Sequence, residues 1–262
     1  MNLCKLCKVR NADKENSHII PKFLGKPLFN SHIHREALEI KKGGGNRKIQ
    51  DIPKEDFLFC SGCEQKFAIL ETYFARKLVS INDFRNRKND FRLIQVYSNR
   101  LLIPNNINPI FFKLFSLSLF WRTSISQSIL YEKFKLPDLI EEELRLFLSR
   151  NLKEKHKELV EELSKIENTP NYHFVVFKPE FNDRHFIGGL TAYQTSENIY
   201  TIFTSDLVFQ FHSDLSNADP IMNLVSNLQN EEARIILSSN ENWKELGSAV
   251  IKKVINNPRE GL

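Results

Sequence analysis

No stretch of the chain strings together the roughly 18 apolar residues that a membrane-crossing helix needs. The longest apolar run, PIFFKLFSLSLFW from Pro109, is broken by Lys113 and by serines, and reads as a helix buried in a core. The opening MNLCKLCKVR has neither the apolar segment nor the small-residue cleavage site of an export leader, so the expected location is the cytoplasm. Internal repeats and low-complexity tracts are missing as well. Cysteine is absent from all 199 residues after Cys63.

What is present supports a folded protein. With 262 residues, 41% hydrophobic and 11% aromatic, including 21 phenylalanines, the chain can bury one large core or two smaller ones. Charge is unevenly spread. The first 100 residues hold 20 Lys and Arg against 11 Asp and Glu, a net of +9, whereas the remaining 162 hold 17 against 21, a net of −4. A cationic N-terminal part beside a slightly acidic remainder suits a module that faces nucleic acid, carried on a part that faces protein.

The four cysteines form two C-x-x-C pairs, Cys4 with Cys7 and Cys60 with Cys63. Each two-residue spacing places both sulfurs on one tight turn, so the two pairs can present four thiolates tetrahedrally to Zn²⁺. Disulfides are disfavoured without an export signal. A thioredoxin-type redox pair would need one such motif in a strand-to-helix setting that the flanking residues lack.

Along the chain, SHII reads as a short extended stretch that Pro21 closes. EALEIKKGGGNRKIQDI, residues 36–52, reads as two strands around the glycines 43–45. From Glu64 the period changes: Phe67, Leu70, Phe74 and Leu78 share one helical face, in a helix expected to end near Asn82. The basic connector DFRNRKNDFR puts a boundary at residues 83–95, dividing the chain into 1–90 and 91–262. Beyond the short strand RLIQVY, helices are expected over 109–134, 137–150 and 154–167. Strands are expected at HFVVFK, HFIGGL, NIYTIFT and LVFQF, and a last helix at NWKELGSAVIKKVI. The expected class is α+β.

Together these parts read C-x-x-C, then S-H-I-I-P-K, a hairpin, and C-x-x-C-E opening a helix. This order resembles the HNH, or ββα-metal, endonucleases in their zinc-bearing form. The strings SHIIPKFL, QDIPKEDFLFCSGCEQKF and LETYFA, and later LSLFWR, are similar to a bacterial group of HNH-like proteins. The likeness covers residues 1–80 well and 110–150 loosely, and nothing in 170–262 shares it. It implies DNA as substrate, entry of the finger into the minor groove, and a setting in phage or mobile-element defence.

In that resemblance His18 is the general base that deprotonates water. A histidine suits this work because its ordinary pKa of ~6.5 leaves it largely neutral at cellular pH. The common pattern has Asp before the histidine and Asn or His after the second cysteine pair; here those places are Ser17 and Glu64. A serine hydroxyl is a poor ligand for a hard cation, whereas Glu64 is a good one for Mg²⁺ or Mn²⁺. Glu71, two helical turns on, is a second candidate ligand, with a salt bridge to an arginine as its plainer role. Asp51 is placed to orient His18 or the cation, with Asp56 as its rival. His32 and His34 are spaced to share one strand face. Lys22, Lys26, Lys41, Lys42, Arg47, Lys48 and Lys54 are candidate phosphate contacts, with Lys22, Arg47, Lys48 and Lys54 favoured. Trp121 and Arg122 read as core packing with a buried ion pair, and His185 and His212 as structural. Residues 91–262 are expected to sense, to bind a partner protein or to form a homo-oligomer. Two other readings stay open: an inactive zinc ribbon that binds nucleic acid or a partner, and a toxic effector held silent until a ligand reaches the C-terminal part.

Overall fold

The computed structural model describes residues 2–29, 37–40, 46–180, 189–214, 220–228 and 231–255. It is a mixed α+β protein. The N-terminal part opens on the Cys4–Cys7 turn and an isolated bridge between Leu3 and Asn11, then β1 (Ser17–His18) and the short helix α1 (Lys22–Gly25). β2 (Ala37–Ile40) and β3 (Asn46–Ile49) form the expected antiparallel hairpin, with Glu39 opposite Arg47. His18 does not pair with it. β1 pairs instead with β4 (Lys54–Glu55), His18 opposite Lys54.

The long helix α2 (Ser61–Asn82) follows, with Phe67, Leu70, Phe74 and Leu78 buried on one face. After it come β5 (Phe91–Val96), β6 (Asn99–Pro104) and α3 (Pro109–Ile125). Asn108 caps α3 by accepting from the backbone N–H of Ile110 at 2.9 Å, and Pro109 lies in its first turn, where a missing N–H costs nothing. Every residue from Phe111 to Ser124 is buried, as suits a predominantly apolar helix, and the buried Lys113 donates to Thr169 and to the Leu228 carbonyl at 2.8 Å each.

α3 stops at Ile125, nine residues short of the expected end. Ser126 turns into extended backbone, and the Glu55 carboxylate of β4 accepts from the Ser126 hydroxyl and from the N–H groups of Gln127 at 2.9 Å and Ser128 at 3.3 Å. A tertiary acceptor therefore replaces the next helical turn. α4 (Asp138–Asn151) matches expectation, and α5 (His156–Leu163) is shorter than the charged run suggested.

The remaining elements are β7 (His173–Pro179), β8 (Thr191–Ser196), β9 (Ile199–Phe203), β10 (Val208–His212), α6 (Pro220–Val225), β11 (Ile235–Ser238) and α7 (Asn240–Ile255). The strands β5–β11 make one seven-stranded sheet in the order β5-β6-β11-β7-β10-β9-β8, with only the β11–β7 pair parallel. Of the expected strand HFIGGL, residues 185–188 lie outside the described residues, and the strand beyond it is β8.

α3 joins the two ends of the chain. Phe115 stacks on Phe74 of α2 at 4.0 Å between ring centres and also meets Phe209 of β10 at 6.3 Å. Phe112 and Phe120 reach Phe174 and Phe211 of the sheet at 6.0 and 5.2 Å. One buried cluster thus runs from Cys4 and Phe59 through α2 and α3 to the sheet.

Candidate functional site

The four cysteine sulfurs lie within 4.8 Å of one another, and those of Cys7 and Cys60 are 3.9 Å apart. Zn–S bonds of ≈ 2.3 Å in a tetrahedron require sulfur–sulfur edges of roughly 3.8 Å, so the cluster has the size and donor chemistry to hold a metal ion such as Zn²⁺. Local backbone builds it. Lys8 adopts φ 53° as its N–H returns to the Cys4 carbonyl at 2.9 Å, and Cys60 is the N-cap of α2. The N–H of Lys5 donates to Leu58 at 2.9 Å and that of Lys14 to Phe59 at 3.0 Å, which ties the first knuckle to the approach to the second.

The thiols differ in how tightly they hold their protons. A hydrogen bond from Cys63 lowers Cys4 to about 4, bonding to Cys4 pushes Cys63 up, and burial pushes Cys60 up. A cation favours the thiolate form of such a group. Asp13 caps α2 from outside, accepting from the Ser61 N–H at 2.7 Å. From α4, Arg145 donates to the Leu6 carbonyl at 2.7 Å and holds Glu142 through two 2.7 Å bonds.

A second polar cluster is assembled beside the first. Ser17 is fully buried, and its hydroxyl donates to Glu64 at 3.1 Å. Burial pushes the Glu64 carboxyl up, against the pull of Arg122 and the Ser17 hydrogen bond. His18 is half-buried; its Nε2 is buried and has no hydrogen-bond partner. Desolvation, then the nearby Lys54 charge, lowers its pKa from the ordinary 6.5, so the neutral ring is favoured. Asn16, just before this strand, sits at φ 58°, and its N–H is held by Asp56 at 2.7 Å. Asp56 therefore fixes the entry to β1 from the backbone.

Glu71 lies seven residues from Glu64 on α2, and its carboxylate accepts from Arg122 Nη1 at 2.6 Å. The same Nη1 donates to the backbone carbonyl of His18 at 3.2 Å. Arg122 is 2% exposed, its guanidinium 4.8 Å from the centre of the Phe67 ring, and its Nη2 is buried without a partner. Sequence reasoning found the ion pair of Arg122 but not its grip on His18. A buried Arg at the end of an otherwise apolar helix was the available signal. Among the described residues the four cysteines are the one cluster of three or more His, Cys, Asp or Glu ligand atoms; His18, Glu64 and Glu71 do not form a second.

Asp51 lies in the bend between β3 and β4 rather than on a strand. It accepts from Lys54 at 2.8 Å, Lys22 at 3.3 Å and the Ile52 N–H at 2.9 Å. Burial alone would raise its carboxyl, but these hydrogen bonds outweigh it and bring it down to about 2. The charge of Asp51 still reaches His18, as does that of Glu71. Lys26 and Lys48 are exposed, Arg47 belongs to β3, and Lys41, Lys42, His32, His34 and His185 lie outside the described residues. His212 stands opposite His173 in the sheet, remote in sequence from the N-terminal cluster. No family model, curated protein or solved structure matches the chain.

Proposed function

We propose that the protein is a metal-dependent endonuclease that hydrolyses DNA phosphodiester bonds, with His18 as general base and Glu64 as ligand of the catalytic cation. The observation that carries this reading is the unpartnered, buried Nε2 of a histidine kept neutral beside the Ser17–Glu64 pair, at the start of the helix that the cysteine cluster anchors. His18 takes a proton from the attacking water, the task for which a neutral imidazole is suited. Glu64 offers a hard oxygen donor whose buried charge lacks a full counter-charge, and Glu71 is the second carboxylate on that helix. Mg²⁺ or Mn²⁺, when bound, supplies neutralisation of the phosphate and of the departing 3′ oxygen.

Zn²⁺ is the proposed occupant of the four cysteines. Its role is structural, since all four positions of a tetrahedron are filled by thiolates. Lys22 and Lys54 supply positive charge next to His18, and DNA phosphates would compete with Asp51 for them. Residues 91–262 carry the sheet through which a partner protein or a second copy would act. Incubating the zinc-loaded protein with supercoiled plasmid and Mg²⁺ or Mn²⁺ tests the reading. Nicking is expected from the wild type and its loss from His18→Ala and Glu64→Gln; equal nicking by His18→Ala removes the base assignment.

A specific observation favours a second reading, a zinc module that binds DNA or a protein without cutting. The charges near His18 are largely satisfied within the chain, Glu71 by Arg122 and Asp51 by Lys22 and Lys54. Salt-dependent DNA binding with no nicking in either metal would decide for it.

A further inference from the structure

We infer that Arg122 is a positioning residue of this site, a latch from α3 that holds the His18 strand and the Glu71 carboxylate with one nitrogen. The role in a reaction rests on the nuclease reading, whereas the latch itself rests on geometry alone. Three separate elements meet at this guanidinium: its Nη1 donates to the His18 carbonyl on β1 at 3.2 Å and to Glu71 on α2 at 2.6 Å, while its Nε reaches Ser118 in its own helix at 3.4 Å. β1 is two residues long and, among the described residues, pairs only with the two residues of β4, so its ladder alone fixes the orientation of the His18 ring weakly. Beside the Ser17–Glu64 and Asn16–Asp56 bonds, the bond from Arg122 to the carbonyl gives that strand an anchor placed on the histidine itself.

The latch is rigid because its base is. Phe67 lies under the guanidinium, and Trp121, the preceding residue, packs on Phe59 and Phe67 at 5.9 and 6.2 Å. A planar guanidinium is needed here. A lysine ammonium carries the charge but is a single point on a flexible stem, and it cannot both stack on Phe67 and reach two acceptors on different elements. Arg122 is also near enough to Glu64 to favour its ionised form, so one residue connects the base strand with both carboxylates of α2.

Arg122→Lys tests this. Zinc content and cooperative unfolding report the fold, plasmid nicking reports kcat and KM, and the ring resonance of His18 reports its position. That resonance is assigned by its loss in His18→Ala. The expected result is wild-type zinc content, kcat at least tenfold lower with KM within about twofold, and a displaced His18 ring resonance. A His18 resonance at its wild-type position, with kcat within twofold, overturns the inference. If the wild type does not cut but the resonance still moves in Arg122→Lys, the nuclease reading fails and the latch stands. If Arg122→Lys does not fold, Arg122→Lys/Glu71→Gln removes the poorly paired carboxylate, and the same resonance is read against Glu71→Gln alone; no displacement between those two again overturns it.

Discussion

The cysteine cluster and the His18 cluster both draw side chains from α2, yet they are built in opposite ways. Cys60 and Cys63 bracket the start of α2, and Cys4 and Cys7 face them across short backbone bonds, so two local turns and one docking event complete the site. Its members are alike, and any cation they hold would bond them directly. The second cluster takes His18 from a two-residue strand, Glu64 and Glu71 from α2 and Arg122 from the end of α3, 104 residues beyond His18. Its members are unlike, and single hydrogen bonds hold them. The first site should therefore fail all at once and the second by degrees.

The largest break should come from the first. Cys60→Ser is expected to reduce bound zinc from one ion per chain to near zero. It should also unfold the N-terminal part, because structural zinc contributes on the order of 10 kcal/mol to such sites. Elemental analysis with limited proteolysis measures both. In the second cluster Arg122→Met leaves Glu71 without its partner. Glu71 keeps about a quarter of its side chain exposed, so the cost should fall at the low end for a broken buried pair, about 3 kcal/mol in a denaturant melt, with zinc retained.

Smaller still in stability, but larger in activity, are His18→Ala and Glu64→Gln. Under the nuclease reading each should lower nicking by about 10²-fold or more while shifting stability by about 1 kcal/mol. The pH dependence sharpens the same point. The folded pKa of His18 lies below 6.5, so the neutral ring is still favoured as pH falls through 6.5, and under the nuclease reading nicking should decline only at lower pH. Below 6.5 the unfolded chain takes up that proton before the folded one, so this histidine lowers stability as the medium is acidified, and His18→Ala should flatten that slope. The smallest effect is expected at the exposed Lys8–Glu142 pair, where Lys8→Ala should cost about 0.5 kcal/mol or less and leave zinc and nicking unchanged.

Much of the first cluster was legible because its signal is local: a C-x-x-C spacing is a turn wherever it occurs. The face of α2 and the burial of α3 were legible for the same reason, since periodicity and unbroken apolarity act over a few turns. The end of α3 was not, because an acceptor on Glu55 stops it. Strands β6, β8 and β11 were also missed. RLLIP and RIILSS are too short for a clear period, and their strand character comes from pairing across a sheet that α3 covers.

The sequence by itself determined that the chain would gather its four cysteines, start a long helix at the second pair and hide an aromatic core. Those outcomes follow from residue type and spacing along neighbouring turns. Only the tertiary structure decided that His18 would pair with Lys54 rather than with the glycine hairpin, that Asp51 would be occupied by two lysines, and that Arg122 would join the His18 strand to α2. The first two contacts join residues up to 36 apart in the chain, and the last depends on where α3 lies between the N-terminal part and the seven-stranded sheet, more than 100 residues beyond His18.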